Sequence, residues 1–273
     1  MLLGCGAVGP PLFILVFLVD GATRTGYDPM YHPVSALSLG PRGWIQITNF
    51  VLTGLLLLGF AVGLRRVLRP GRADLWGPLA VGVFGLGLLL SGVFVMDPAH
   101  GYPPGAPLDG VMTSWPGVLH DNLGIVVFVS VPVACFVLAR RSAGRPTGRA
   151  WVGYDLLTGL AGLALFVTFG TAWETDHPLT GLIQRLMIAV DWAWITVLAL
   201  RLLAETRRRA GEPPQAGPTP RSIRSSGSGR RSSARCRPPR TPPRSTGRPS
   251  GSNATPRTAE DAGVQRAPRT PRS

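Results

Sequence analysis

Histidine, serine and carboxylate side chains are the residues in this sequence that could do chemistry, and they gather in the segments between apolar stretches. His32, His100 and His177 fall there, as do Asp28, Asp97, Asp109, Glu174 and Asp176, and the pair His120-Asp121 stands at the mouth of the fourth stretch. Two chemistries suit such a set. His32, His120 and His177 with an aspartate offer the nitrogen and oxygen ligands that zinc or a similar transition metal takes. Alternatively, His32, Ser35, Asp97 and His120 supply the residue types of a hydrolytic site. Spacing supports neither. There is no HExxH, and His120 and Asp121 are adjacent rather than one helical turn apart. The plainer expectation is that Asp28, Asp121, Glu174 and His177 cap helices, pair with Arg42 or Arg185, and meet water. No cofactor is predicted from spacing alone.

Asp191 stands apart, deep in the last apolar stretch between Val190 and Trp192. An aspartate at the bilayer centre costs roughly 2.5–3.5 kcal/mol on insertion scales, so it must face the bundle interior or a cavity. Gln184, seven residues earlier, shares its face, because seven residues make nearly two helical turns. Arg185 is rotated off that face. Three roles stay open for Asp191: handling a proton or cation, locking two helices together, or serving as a hydrogen-bonded structural residue. A carrier predicts a cavity that reaches it, and a packing protein predicts it sealed. Asp155 is expected to reach the membrane interface.

These residues must be positioned by membrane helices. A bilayer core needs about 20 mostly apolar residues in a helix, and six stretches qualify, at approximately 2–19, 44–64, 76–96, 119–139, 151–171 and 182–203. The expected fold is therefore all-α, a polytopic six-helix transmembrane bundle over residues 1–204. Arg65, Arg66, Arg69 and Arg72, then Arg140, Arg141, Arg145 and Arg149, then Arg201 and Arg207 to Arg209, occupy alternate connections. The positive-inside rule makes those connections and both termini cytoplasmic in a plasma membrane, and puts the histidines on the outer face. Pro10-Pro11 predicts a kink in the first span. Pro33 and Gly40 bracket a short interfacial helix over 33–39, and Trp44 suits the headgroup region. Gly59-x-x-x-Gly63 and Gly87-x-x-x-Ser91 place small residues one turn apart, where helix backbones can approach. His32-Pro-Val-Ser-Ala-Leu37 echoes His177-Pro-Leu-Thr-Gly-Leu182, a repeated way of leading into a span.

The stretch from Gly4 to about Leu203 resembles the bacterial and archaeal membrane proteins of domain-of-unknown-function family 998. The resemblance is carried by Gly9-Pro10, Tyr27-Asp28-Pro29 and His32-Pro33-x-Ser35-x-Leu37-x-x-Gly40. It continues through Gly43-Trp44, Asp97, His120, Gly181-Leu182 and Arg185. It implies a six-helix membrane bundle and transfers no catalytic residue.

Residues 205–273 differ in kind. They hold no aromatic residue and sixteen of the 28 arginines, and the chain has no lysine. Such a segment cannot bury enough apolar area to offset chain entropy, so it is expected to be a disordered basic tail. Its arginines suit anionic lipid headgroups. With nothing to stack on bases, nucleic acid is a poor partner. The composition also suits a read-through or shifted frame in GC-rich DNA. Cys5, Cys135 and Cys236 form no metal or disulfide pattern. The expectation that follows is a non-enzymatic bundle that binds or passes a small molecule or lipid, or acts as a membrane interaction partner. The alternative is a membrane-embedded hydrolase with its site at the outer face.

Overall fold

The structure, a computed structural model, describes residues 1–68, 73–107, 113–144 and 148–211. The expected tail beyond 211 and the loop residue Asp109 lie outside the described residues. Six helices make up the fold: α1 (Leu2–Ala22), α2 (Gly43–Val67), α3 (Ala73–Val93), α4 (Trp115–Ser142), α5 (Arg149–Glu174) and α6 (Thr180–Gly211). All six are long and apolar enough to cross a membrane. Only helices can do so as single segments, because lipid offers no partner to an unpaired N–H or C=O group. Each helix packs on its neighbours in sequence, and α6 closes back onto α1. The result is a six-membered ring, the outcome expected when short connections place consecutive helices side by side.

Lipid gives helices little hydrophobic reason to associate, so close packing must supply the attraction. The tightest approach joins α2 to α3. A Cβ on Gly54 would lie 2.7 Å from the Gly85 carbonyl oxygen, and one on Gly85 would lie 3.0 Å from that of Gly54. The two backbones touch because neither residue has a side chain. The pairs expected from sequence also sit at helix contacts. A Cβ on Gly63 would meet Leu2 of α1 at 2.9 Å, and one on Gly87 would meet Val127 of α4 at 2.7 Å. Asn49 of α2 adds a polar tie by donating to the Phe13 carbonyl of α1 at 3.1 Å.

Aromatic side chains fill the middle of the ring. Trp192 of α6 is 1% exposed. Its ring lies 5.6 Å from Phe13 of α1, 4.7 Å from Phe84 of α3 and 6.3 Å from Phe128 of α4, centroid to centroid. One indole thus bridges three other helices.

Several boundaries differ from the sequence reading, each for a local reason. α4 begins at Trp115 rather than 119, because the Ser114 hydroxyl caps it by accepting the Gly117 N–H at 3.3 Å and Pro116 suits a first turn. α1 runs through Pro10 and Pro11 as one helix. The helix expected at 33–39 is a 3-10 helix, Val34–Ser38. α6 continues past Glu205 to Gly211, where Arg201 bonds Glu205 one turn ahead at 2.8 Å. Its 32 residues span roughly 48 Å at about 1.5 Å each, more than a ~30 Å hydrocarbon core. Asp155 is held by protein. It is 4% exposed and accepts the Trp194 indole N–H at 2.9 Å.

The connections α1–α2, α3–α4 and α5–α6 meet at one end of the ring. Arg24 donates to Tyr102, His32 to the His100 carbonyl, and the Leu182 N–H to the Met30 carbonyl. At the other end Arg141 reaches from α4 to the Leu68 carbonyl at 3.0 Å.

Candidate functional site

The histidine-bearing end is built around two arginine clamps. Asp20, at the end of α1, is buried and accepts Arg24 on one oxygen and Arg42 on the other, both at 2.7 Å. Arg24 spends its remaining donors on the Leu37, Leu39 and Arg42 carbonyls, and so fixes the chain around the 3-10 helix. Arg185 is the second clamp and uses no carboxylate. It donates to the His32 and Gly181 carbonyls at 3.0 and 2.8 Å and to the Tyr27 hydroxyl, with its guanidinium over the Phe17 and Tyr27 rings. Gly181 is required there, since a Cβ would stand 2.5 Å from the His32 carbonyl oxygen. Burial pushes the Tyr27 hydroxyl up to about 12 despite Arg185 beside it, so it keeps its proton and donates to the Pro33 carbonyl at 3.2 Å.

The sequence candidates divide between this scaffold and a cavity beside it. His32 belongs to the scaffold. Its Nδ1 accepts the Asp28 N–H at 2.8 Å and its Nε2 donates to the His100 carbonyl at 3.2 Å, so both ring nitrogens are engaged by backbone. Burial lowers its pKa below the ordinary histidine value. Asp28 itself closes a turn by accepting the Met30 N–H. Asp97 accepts the Ser114 N–H and hydroxyl at 2.7 and 2.6 Å. It sits over Gly117 in the first turn of α4, where the helix dipole favours a carboxylate. His177 caps its own turn by accepting the Leu179 N–H at 3.1 Å, and Glu174 is exposed. Three histidines anticipated as one ligand set are therefore held on three separate backbone partners. Among the described residues no three His, Cys, Asp or Glu side chains come together as a metal-holding group.

Ser35, His120, Asp121 and Gln184 are brought together instead. They line a cavity of about 290 Å³ enclosed by the 3-10 helix, α4, α5 and α6. Its walls are Phe128 of α4 and Phe166, Phe169 and Trp173 of α5. Gly124 of α4 and Phe166, Phe169 and Gly170 of α5 line the cavity and are partly exposed, so it opens to the side of the ring between α4 and α5. A smaller pocket of about 30 Å³ shares Ser35, His120 and Gln184 and runs inward to Trp192. At the floor, His120 Nδ1 bonds the Phe94 carbonyl at 2.7 Å, and Gln184 accepts the Val34 N–H at 2.7 Å. Two glycines face this space, Gly124 and Gly170, and a Cβ on either would meet nothing within 4 Å. They differ from the glycines at helix contacts, which are held small by a neighbour.

Asp191 is sealed. It is 0% exposed, and neither carboxyl oxygen has a hydrogen-bond partner among the described residues. It packs against Gly162 of α5, where a Cβ would come within 2.7 Å of Oδ1 and 3.3 Å of Pro132.

A third cluster escaped the sequence reading. Tyr31 and His100 both contact Asp176, His100 through Nδ1 at 2.9 Å, which ties the first, third and fifth connections together. His100 and Asp176 both take φ of 52°, the left-handed region that side chains seldom adopt. No local motif announces such a cluster, because its members are 69 and 145 residues apart in pairs with Tyr31. The aromatic wall had a fainter signal: Phe166, Phe169 and Trp173 repeat at helical spacing, but any membrane helix carries such stripes.

The family model described as "Protein of unknown function (DUF998)" matches residues 7–201. No curated protein and no solved structure matches the chain.

Proposed function

Because the chain belongs to the DUF998 family, whose description assigns no activity, we propose a function from the site alone: the bundle binds a lipid-like amphiphile in the cavity between α4 and α5. The supporting observation is the pair Gly124 and Gly170. Glycine inside a helix is less favourable than alanine by roughly 1 kcal/mol, and no packing contact at these two positions requires it. Their effect is to leave room. The walls are apolar and aromatic, and polar groups converge at one end, the ordinary make-up of a small-molecule site. The opening faces the side of the ring, where a membrane would present acyl chains.

The histidine-bearing end is read as the outer one and both termini as cytoplasmic. The arginines at 65, 66, 140, 141, 149, 201 and 207–209 then lie inside, as the positive-inside rule requires. The arginine-rich continuation of α6 would meet anionic headgroups there. A hydrolase built on His32, Ser35, Asp97 and His120 is not favoured, because two of the four are taken up by backbone outside the cavity.

The test is native mass spectrometry of the full chain released from membrane nanodiscs. Wild type is expected to carry a retained lipid, and Gly124→Leu/Gly170→Leu to fold and lose it. Retention of the same lipid by the filled variant overturns the reading.

A further inference from the structure

The charge and hydrogen-bonding inventory of the cavity limits the head group it can take, an inference that rests on the binding reading above. Asp121, at the exposed rim, is the one formally charged side chain of the lining, and it is negative. The arginines of this end stand elsewhere: Arg24 and Arg42 hold Asp20, and Arg185 holds carbonyls and Tyr27. A phosphate, sulfate or carboxylate head would meet a carboxylate at the rim and no cation on the floor, and unanswered like charge is a strong means of rejection.

The floor has a definite polarity. The Phe94 carbonyl can only accept, so His120 donates to it through Nδ1, and Nε2 is the ring nitrogen not engaged there. Gln184 uses its oxygen on Val34, which leaves its amide NH₂ as a donor. The Ser35 hydroxyl makes no hydrogen bond among the described residues and can serve either way. One imidazole nitrogen, one amide donor and one hydroxyl complement a head that itself mixes hydroxyl and carbonyl oxygen. At about 290 Å³ the space lies just below the ~300–1,000 Å³ of ligand pockets, too little for two chains, so a single chain fills it and continues out through the side opening.

We infer that the cavity selects a single-chain amphiphile with a non-anionic, hydroxyl- and ester-bearing head, such as a monoacylglycerol. The chain runs along Phe128, Phe166 and Phe169, and the head meets Ser35, His120 and Gln184.

The experiment uses the full chain in phosphatidylcholine nanodiscs. A chain-brominated monoacylglycerol reports occupancy by quenching Trp173, read as the difference between wild type and Trp173→Phe. Unbrominated monooleoylglycerol, oleoyl lysophosphatidylglycerol and oleylamine then compete. Monooleoylglycerol is expected to displace the probe at concentrations about tenfold lower than the anionic lipid, a preference of roughly 1.4 kcal/mol, while oleylamine, whose charge Asp121 does not repel, meets no such exclusion. Asp121→Arg is expected to bring the anionic lipid level with the neutral one, and an unchanged ratio between the two overturns the rim-charge argument. Equal or stronger displacement by the anionic lipid in wild type overturns the head-group inference alone. Quenching that persists in Gly124→Leu/Gly170→Leu shows that the probe sits elsewhere, and overturns the binding reading together with it.

Discussion

Asp20 shows how much of this end depends on one carboxylate. It is almost wholly buried and answers two guanidiniums, one of them equally buried. Removing it leaves Arg24 charged and uncompensated, and breaking a buried pair typically costs about 3–5 kcal/mol. Asp20→Asn is therefore expected to lower stability by about 3 kcal/mol in detergent, read by thermal unfolding, and an effect under about 1 kcal/mol would contradict the clamp. His32 supplies a pH dependence. Its folded pKa lies below the unfolded value near 6.5, because burial opposes the charged ring despite the pull of the His100 carbonyl and Asp28, with Arg185 opposing it further. The unfolded chain then binds the proton first, so stability is full above about pH 6.5 and falls as pH drops below it. Comparing wild type with His32→Gln between pH 7.5 and 5 isolates that slope from the other histidines. Asp191 behaves oppositely to Asp20. No partner answers its carboxyl oxygens, so Asp191→Asn strands no cation. It is expected to stay within about 1 kcal/mol of wild type. Gln184 and Asp191 were grouped in the sequence by helical phase, yet one meets a cavity and the other is sealed. Phase gives direction around a helix, and it does not reveal what the neighbouring helix leaves empty.

At the scale of the helix, the spans were readable because membrane length and apolarity are local properties of the chain. All six stretches became helices. The ends were less readable, since caps decide them: Ser114 and Pro116 start α4 early, and the Arg201–Glu205 pair sits where α6 runs on. The glycine pairs were legible as small-residue motifs. The most consequential pair, Gly54 with Gly85, was not, because its members lie on different helices. Gly54→Leu would drive a side chain into the α3 backbone. Overpacking of this kind costs about 1–3 kcal/mol, occasionally more, and the expected readout is a lowered thermal midpoint or loss of the folded protein. Gly170→Leu, on a helix face with open space, should cost little. A comparable loss from both would show that the two glycines do not differ as the structure says.

Over the whole molecule, the acids and histidines were segregated to one end by sequence, and the structure packs the three connections that carry them into one cap. That cap was not derivable from motifs. It is made by contacts between residues far apart, such as Arg24 with Tyr102 and Arg185 with His32. The cavity was still less accessible to sequence, being a volume that no residue states by itself. The orientation proposed for the ring predicts that a cysteine at Asp28, an exposed position, is labelled by a membrane-impermeant thiol reagent added outside intact cells. One at Arg208, in the exposed last turns of α6, should be labelled only after permeabilisation, and the reverse pattern would invert the topology.

Trp192 carries a consequence of another kind. Its indole fills the middle of the ring against Phe13, Phe84 and Phe128, while the side cavity opens between α4 and α5. A guest of the side cavity would leave by the gap it came through and return to the monolayer from which it came. Its occupancy would then follow the composition of that one monolayer and stay blind to the other, the behaviour of a gauge of bilayer asymmetry rather than of a pump.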